Sequence, residues 1–95
     1  MKALVLIKIT SLGTREAYRL LKELDSVVES YLVYGRYDAA LILQAGDLEG
    51  IRQVIFSDIQ PIPGVIDILP CIIAEGEAAP VENGLRSQAM RQTAT

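Results

Sequence analysis

Residues 27–45 read VVESYLVYGRYDAALILQA, and this stretch decides the fold that the sequence predicts. Residues 27–34 and 37–45 are rich in Val, Leu, Ile and Tyr, which favour β-strands. Gly35 and Arg36 stand between the two runs as a predicted two-residue turn. The stretch therefore predicts a β-hairpin in the middle of the chain.

The hairpin's second strand and the last strand of the chain have predictable places in the sheet. Residues 39–43 (AALIL) are apolar at every position, which is typical of a strand covered on both faces. Residues 65–74 (VIDILPCIIA) predict the last strand, and Pro70 within it has no N–H for a ladder hydrogen bond. We therefore expect the third strand to be central and the fourth to lie at an edge.

A strand and a helix precede the hairpin. Residues 2–9 (KALVLIKI) predict a short strand with apolar side chains on both faces. Thr14 is the expected N-cap of the following helix, and Glu16 suits the positive end of the helix dipole. The helix ends near residue 24, and its apolar stripe has the spacing i, i+3, i+4, i+7: Ala17, Leu20, Leu21 and Leu24.

A second helix follows the hairpin. Asp47 is its expected N-cap, and Gly50 weakens its first turn. Residues 60–64 (QPIPG) cannot continue the helix and predict a fixed turn. The predicted apolar stripe of this helix consists of Leu48, Ile51, Val54, Ile55 and Ile59.

The order of elements, βαββαβ, falls into two strand–helix–strand halves. Right-handed crossovers in both halves give an α+β, ferredoxin-like fold with a four-stranded antiparallel sheet of order 4-1-3-2. Two helices cover only one face of such a sheet. The other face would expose Leu4, Leu6 and alternate residues of 39–43, a larger apolar patch than a soluble monomer usually leaves in water.

The uncovered face predicts a two-fold homodimer packed sheet on sheet, the arrangement of a dimeric α/β barrel. The alternative is a monomer in which the C-terminal residues fold over this face. Residues 76–95 are rich in small and polar residues without an apolar period, so we expect them to form a flexible tail. We expect residues 1–75 to form the folded domain.

Composition excludes several classes of function. The chain of 95 residues has no histidine, which removes His-based catalysis and His metal ligands. Cys71 is the single cysteine, too few for a disulfide framework or a zinc cluster, and we expect it to be buried on its strand. The net charge is −3 with scattered basic residues, which disfavours nucleic-acid binding. No P-loop or GxGxxG motif is present, and we predict no catalytic residues, cofactor or metal site.

No segment has the length of a signal peptide core or a membrane span, so we expect a cytoplasmic protein.

The candidate functional residues lie in the hairpin connection: Tyr34, Gly35, Arg36, Tyr37 and Asp38. Gly35 permits a positive φ or a close approach of the backbone. The Arg36 guanidinium suits a carboxylate, and the Asp38 carboxylate suits an ammonium group, so together they suit a free amino acid. The alternative interpretation is an ordinary polar hairpin in which Asp38 binds turn amides.

From residue 2 to residue 75 the sequence resembles the effector-binding domain of the Lrp/AsnC regulators, the RAM domain ("regulation of amino acid metabolism"). The resemblance rests on the run 27–33 (VVESYLV) leading into 34–38 (YGRYD), which matches the family pattern V…G-x-x-D. Residues 46–48 (GDL) begin the second helix, and residues 63–65 (PGV) lead into the last strand, as in the family.

The resemblance implies sheet-on-sheet dimers that assemble into larger rings, often octamers, with small effectors, commonly amino acids, at contacts between dimers. The glycine and aspartate of the family motif fall on Gly35 and Asp38, and the loop between them on Arg36 and Tyr37; Tyr34 is added from its place in the loop. Family regulators carry a helix-turn-helix domain before this module. The first strand here begins at residue 2, so we expect a stand-alone form without direct DNA binding.

Three functions stay open at this point. The first is a ligand-sensing oligomer that modulates transcription through full-length Lrp/AsnC relatives. The second is an interaction protein that forms mixed oligomers and binds no ligand. The third is a small enzyme of the dimeric α/β-barrel type, which the absence of histidine and the apolar strands disfavour.

Overall fold

The computed structural model describes residues 1–74, and the predicted tail, residues 76–95, lies outside the described residues. Its elements follow the predicted order. They are β1 (Lys2–Ile9), α1 (Thr14–Lys22), β2 (Val27–Leu32), β3 (Ala39–Gln44), α2 (Leu48–Gln53), a π-helical segment (Val54–Ile59) and β4 (Val65–Ile72).

The four strands form one antiparallel sheet of order β2-β3-β1-β4. This order confirms the ferredoxin-like fold, with β1 and β3 in the centre and Pro70 on the edge strand β4. The core lies between the helices and one face of the sheet. Its buried residues are Ala3, Val5, Ile7, Ile9, Ala17, Leu21, Ala39, Leu41, Leu43, Ile51, Val54, Ile55 and Ile59.

The prediction of helix N-caps was correct for α2 and wrong for α1. The Asp47 side chain accepts a hydrogen bond from the Gly50 N–H at 2.8 Å. Thr14 is already the first residue of α1, and Gly13 occupies the N-cap without a side-chain hydrogen bond. The Thr14 hydroxyl instead donates back to the carbonyl of Thr10 at 3.0 Å, as hydroxyls inside helices often do.

The second helix widens into a π-helix, which the apolar period does not reveal. The Gln60 N–H donates to the carbonyl of Ile55 at 2.8 Å, five residues earlier. Leu48 was predicted in the buried stripe but is 48% exposed. In the first turn of α2, Gly50 instead packs against Ala45, since a Cβ added at Gly50 would lie 2.9 Å from the Ala45 Cβ. Leu48 lies off this packed side of the helix.

The hairpin differs from its prediction in two ways. β2 ends at Leu32 and β3 begins at Ala39, so a loop over residues 33–38 replaces the expected two-residue turn. The β2–β3 register also shifts between Val27 and Glu29. This β-bulge places Val27 opposite the buried Leu43, although Glu29 lies opposite Ile42, so the alternation of faces that is usual along a strand is broken at the start of β2.

One face of the sheet is left without a covering element in the described residues, as predicted. We call it the open face. Its two middle rows, read from β2 to β4, are Glu29, Ile42, Leu4, Cys71 and Tyr31, Ala40, Leu6, Leu69. Cys71 is exposed in this face rather than buried, because an edge-strand residue on the side away from the helices has no cover.

Charged and polar residues flank these two rows. Lys8 lies opposite Asp67 at one end of the open face, and Lys2 lies opposite Gln44 at the other. The apolar side chains of Leu4, Leu6, Ala40 and Ile42 are half-buried by their neighbours alone. An apolar centre with a polar rim is the composition of a protein–protein interface.

Candidate functional site

The loop over residues 33–38 is fixed to the sheet at both ends. The Val33 N–H donates to the carbonyl of Asp38 at 3.0 Å, which closes the loop. The Asp38 N–H donates to the carbonyl of Ile7 at 2.9 Å, which ties the loop to the central strand β1. The five predicted site residues therefore lie together in one connection at one end of the sheet.

Asp38 makes a structural contact within this end of the sheet. Its Oδ2 accepts a hydrogen bond from the Ile9 N–H at 2.8 Å and lies 3.8 Å from Lys8 Nζ. The carboxylate thereby takes the place of a main-chain acceptor where the β1–β3 ladder ends. Its side chain is still 28% exposed, so a ligand can reach it beside the rim of the open face.

The other loop residues point away from the core. Gly35 has φ +121°, a conformation that other residues rarely adopt, and no atom lies within 4 Å of an added Cβ. The glycine is thus required by backbone conformation rather than by space. Tyr34 is 103% exposed, Arg36 is exposed and Tyr37 is half-buried. The loop presents a phenol and a guanidinium on its outer side.

Two of the surface grooves in the described part of the chain lie away from the loop. One, of about 390 Å³, lies between the π-helical segment and β4, and its lining includes Ile55, Phe56, Gln60 and Ile66. The other, of about 720 Å³, lies between α1 and the end of β2. The loop residues line neither of these two grooves.

The α1–β2 groove is a feature that sequence reasoning missed. Arg15, Arg19 and Lys22 are exposed on α1 and line this groove. Their spacing of four and three residues puts them on one flank of α1, which is the signal that could have identified it.

Titratable groups in the described residues show few perturbations. The Arg19 guanidinium hydrogen-bonds the Glu16 carboxylate, which lowers the pKa of Glu16 and raises that of Arg19. The Tyr31 hydroxyl donates to Glu29 at 2.9 Å, and this bond to an anion raises the pKa of Tyr31. Within residues 1–74 no group of Asp, Glu or Cys side chains is arranged to hold a metal ion. None of the helices in that part of the chain is long and apolar enough to span a membrane.

Comparison with known proteins agrees with this geometry. The family model of the Lrp/AsnC ligand binding domain matches residues 2–75. The chain belongs to this family. Its membership of this family makes it a regulatory ligand-binding module. No curated protein matches the sequence significantly.

Solved structures share the fold. FFRP-DM1 superimposes with a TM-score of 0.72 and 26% identity over 76% of this chain and 96% of its own. AsnC of E. coli gives a TM-score of 0.76 at 20% identity, over 84% of this chain and 54% of AsnC. A transcriptional regulator from Neisseria meningitidis, NMB0573 in complex with L-Met, gives 0.72 at 15% identity, over 82% of this chain and 52% of its own. This chain therefore spans about half the length of the two latter proteins.

Proposed function

We propose that this protein is a non-enzymatic regulatory module that assembles through its open face and binds an amino acid effector at the 34–38 loop. The observation that carries the proposal is the pair of uncovered apolar rows on the sheet. Burying them against a second copy removes Leu4, Leu6 and Ile42 from water and leaves Lys2 and Lys8 at the rim. Residues 1–75 form the module in this proposal.

The 34–38 loop stands at the border of the open face, because Asp38 lies 3.8 Å from the rim residue Lys8. In a sheet-on-sheet dimer the loop would thus face other subunits. Asp38 would accept from the ammonium group of the effector and Arg36 would bind its carboxylate, while Tyr34 and Tyr37 would contact its side chain. Because Tyr34, Gly35 and Arg36 are exposed at the border of the open face, a second dimer would complete the pocket, in an assembly as large as an octamer.

Binding between dimers would couple effector concentration to assembly, because a ligand shifts an equilibrium by its differential affinity for the two states. Mixed oligomers with full-length Lrp/AsnC regulators would carry this signal to transcription.

Calorimetric titration of the full chain with each of the twenty amino acids tests the site. We expect saturable heat with at least one, weakened at least tenfold by Asp38→Asn and by Arg36→Ala. The Asn oxygen can still accept from the Ile9 N–H, so Asp38→Asn removes the charge and keeps the fold contact. Arg52→Ala on α2 is the control and should leave the affinity unchanged. The absence of saturable heat across the panel would contradict effector binding.

A second candidate is an assembly protein without an effector. The engagement of Asp38 with the Ile9 amide favours it, since a purely structural loop needs no ligand. In that case the Asp38→Asn and Arg36→Ala variants would assemble as the natural chain does, and no amino acid would change the assembly in sedimentation experiments.

A further inference from the structure

The charged side chains around the 34–38 loop are not balanced in sign. Lys8 Nζ lies 3.8 Å from Asp38 Oδ2, and the Lys8 side chain is 40% exposed. Arg36 is exposed and forms no ion pair with another residue of the described part of the chain. Two cations therefore stand beside a single carboxylate at this end of the sheet, and the excess charge is positive.

Asp67 does not supply the missing negative charge, although it lies opposite Lys8 in the pairing of β1 with β4. The Ile73 N–H donates inward to the Lys2 carbonyl, so by strand alternation the Ile68 N–H points away from β1. The Asp67 Oδ1 accepts from that outward N–H at 3.0 Å, which draws the carboxylate toward the outer edge of β4. Among the described residues no ion pair joins Asp67 to Lys8.

The Asp38 carboxylate has one oxygen left for a ligand. Its Oδ2 accepts from the Ile9 N–H at 2.8 Å and lies beside Lys8, whereas its Oδ1 accepts no hydrogen bond from another described residue. An effector ammonium group at Oδ1 would share this carboxylate with the Lys8 ammonium group. Two cations so close repel each other unless a further anion lies between them. An effector that brings its own additional carboxylate removes this repulsion.

We propose that Lys8 determines the class of effector, and that the effector is an amino acid with a carboxylate in its side chain. The α-carboxylate binds Arg36, the ammonium group binds Asp38, and the side-chain carboxylate binds Lys8, each through charge-assisted hydrogen bonds. Tyr34 and Tyr37 contact the methylene groups. The inference rests on the proposed function, because it concerns the effector of the same loop.

Neutral amino acids leave this site incompletely paired. With an apolar or amide side chain, Lys8 keeps only its contact with Asp38 and gains a second cation nearby. Each acidic amino acid and its amide have nearly the same size, so a difference in affinity between them reports the charge of the side chain. The site should therefore distinguish glutamate from glutamine, and aspartate from asparagine.

Calorimetric titration of the full chain with these two pairs of amino acids tests the proposal. We expect at least one acidic amino acid to bind at least tenfold more tightly than its amide, with a smaller ratio at high salt. Equal affinities within both pairs, or tighter binding of the amides, would overturn it. Saturable binding of neutral amino acids alone would overturn it and leave the proposed function standing. No saturable heat with any of the twenty amino acids would contradict the proposed function itself.

Lys8→Gln and Lys2→Gln are a matched pair of variants, because both lysines lie on β1, on the open face, at opposite ends of the strand. Lys8→Gln should weaken binding of the acidic amino acid at least tenfold and change binding of its amide less than threefold. Lys2→Gln should change neither more than twofold. Equal weakening of acid and amide by Lys8→Gln would mean that Lys8 acts through the fold, and would overturn the proposal.

Amide shifts in NMR keep the test decisive if Lys8→Gln fails to fold. In the natural chain, glutamate or aspartate should shift the amides of Lys8 and Arg36 more than the amide of Lys2, and the matched amide ligand should shift Lys8 less. Shifts that are absent at Lys8, or equal for the acid and its amide, would overturn the proposal.

Discussion

The two faces of the sheet are built from alternate residues of the same strands but differ in what covers them. On the helix side, Val5, Ile7, Leu41 and Leu43 are 0% exposed. On the open side, residues of similar type such as Leu6 are only half-buried. In the middle of the central strands β1 and β3, residue type therefore does not distinguish the two faces. The mainly apolar middle of the open face is the observation on which the proposed assembly rests.

The largest expected effect is the loss of stability caused by a substitution on the covered face of the sheet. Leu41→Ala should lower the free energy of unfolding by about 2–5 kcal/mol, because it leaves a cavity between β3 and the helices. Urea denaturation followed by circular dichroism measures this change. Ala40→Gly, on the open side of the same strand, is the comparison, with a loss of about 1 kcal/mol or less. Equal losses would contradict the tight packing of Leu41 against the helices.

The next effect is on the open face. Leu6→Asp should weaken self-association at least 100-fold, or about 2.7 kcal/mol, because it places a carboxylate at the centre of the proposed interface. Sedimentation velocity over a dilution series measures it. Lys2→Asp at the rim should change the association by less than tenfold. If Leu6→Asp assembled as the natural chain does, the open face would not be the interface.

A smaller effect on stability concerns the packing at the start of α2, on the covered side of the sheet. Gly50→Ala should lower the free energy of unfolding by about 1 kcal/mol, although alanine favours helices, because its Cβ would lie 2.9 Å from that of Ala45. Gly46→Ala is the control, since no atom lies within 4 Å of its added Cβ. Thermal denaturation compares the two. Stabilisation by Gly50→Ala would mean that the helix start is loosely packed.

The smallest effect is the titration of Tyr31 on the open face. Its bond to Glu29 raises the pKa of Tyr31 above the ordinary value of 10.0. The bond therefore stabilises the fold below pH 10 and is lost as pH rises through the raised pKa. Ultraviolet titration should show that Glu29→Gln lowers the pKa of Tyr31. An unchanged midpoint in Glu29→Gln would contradict this assignment.

Sequence reasoning predicts the elements and the sheet order because the apolar period, the Asp47 cap and Pro70 are local signals. It does not predict the β-bulge that changes the face of the sheet on which Val27 lies. One extra residue in β2 leaves the composition of the strand unchanged. The π-helical segment is not predicted for a similar reason. Its residues are ordinary helix residues, and only the hydrogen bond from the Gln60 N–H to the Ile55 carbonyl identifies it.

The candidate site was predictable only in part. The sequence places residues 34–38 in one loop, and the positive φ of Gly35 agrees with the expected use of a glycine. The contact of Asp38 with the Ile9 amide joins residues 29 positions apart, which no local pattern contains. Burial of Cys71 was predicted wrongly because apolar character alone does not tell which face of an edge strand is covered.

Sedimentation equilibrium of the natural chain is the most direct test of the claim that a second molecule covers the open face. The chain mass is 10.4 kDa. The account predicts a dimer or a multiple of it at micromolar concentration, with 10.4 kDa monomers absent until far greater dilution. A single 10.4 kDa species across the whole concentration range would contradict it.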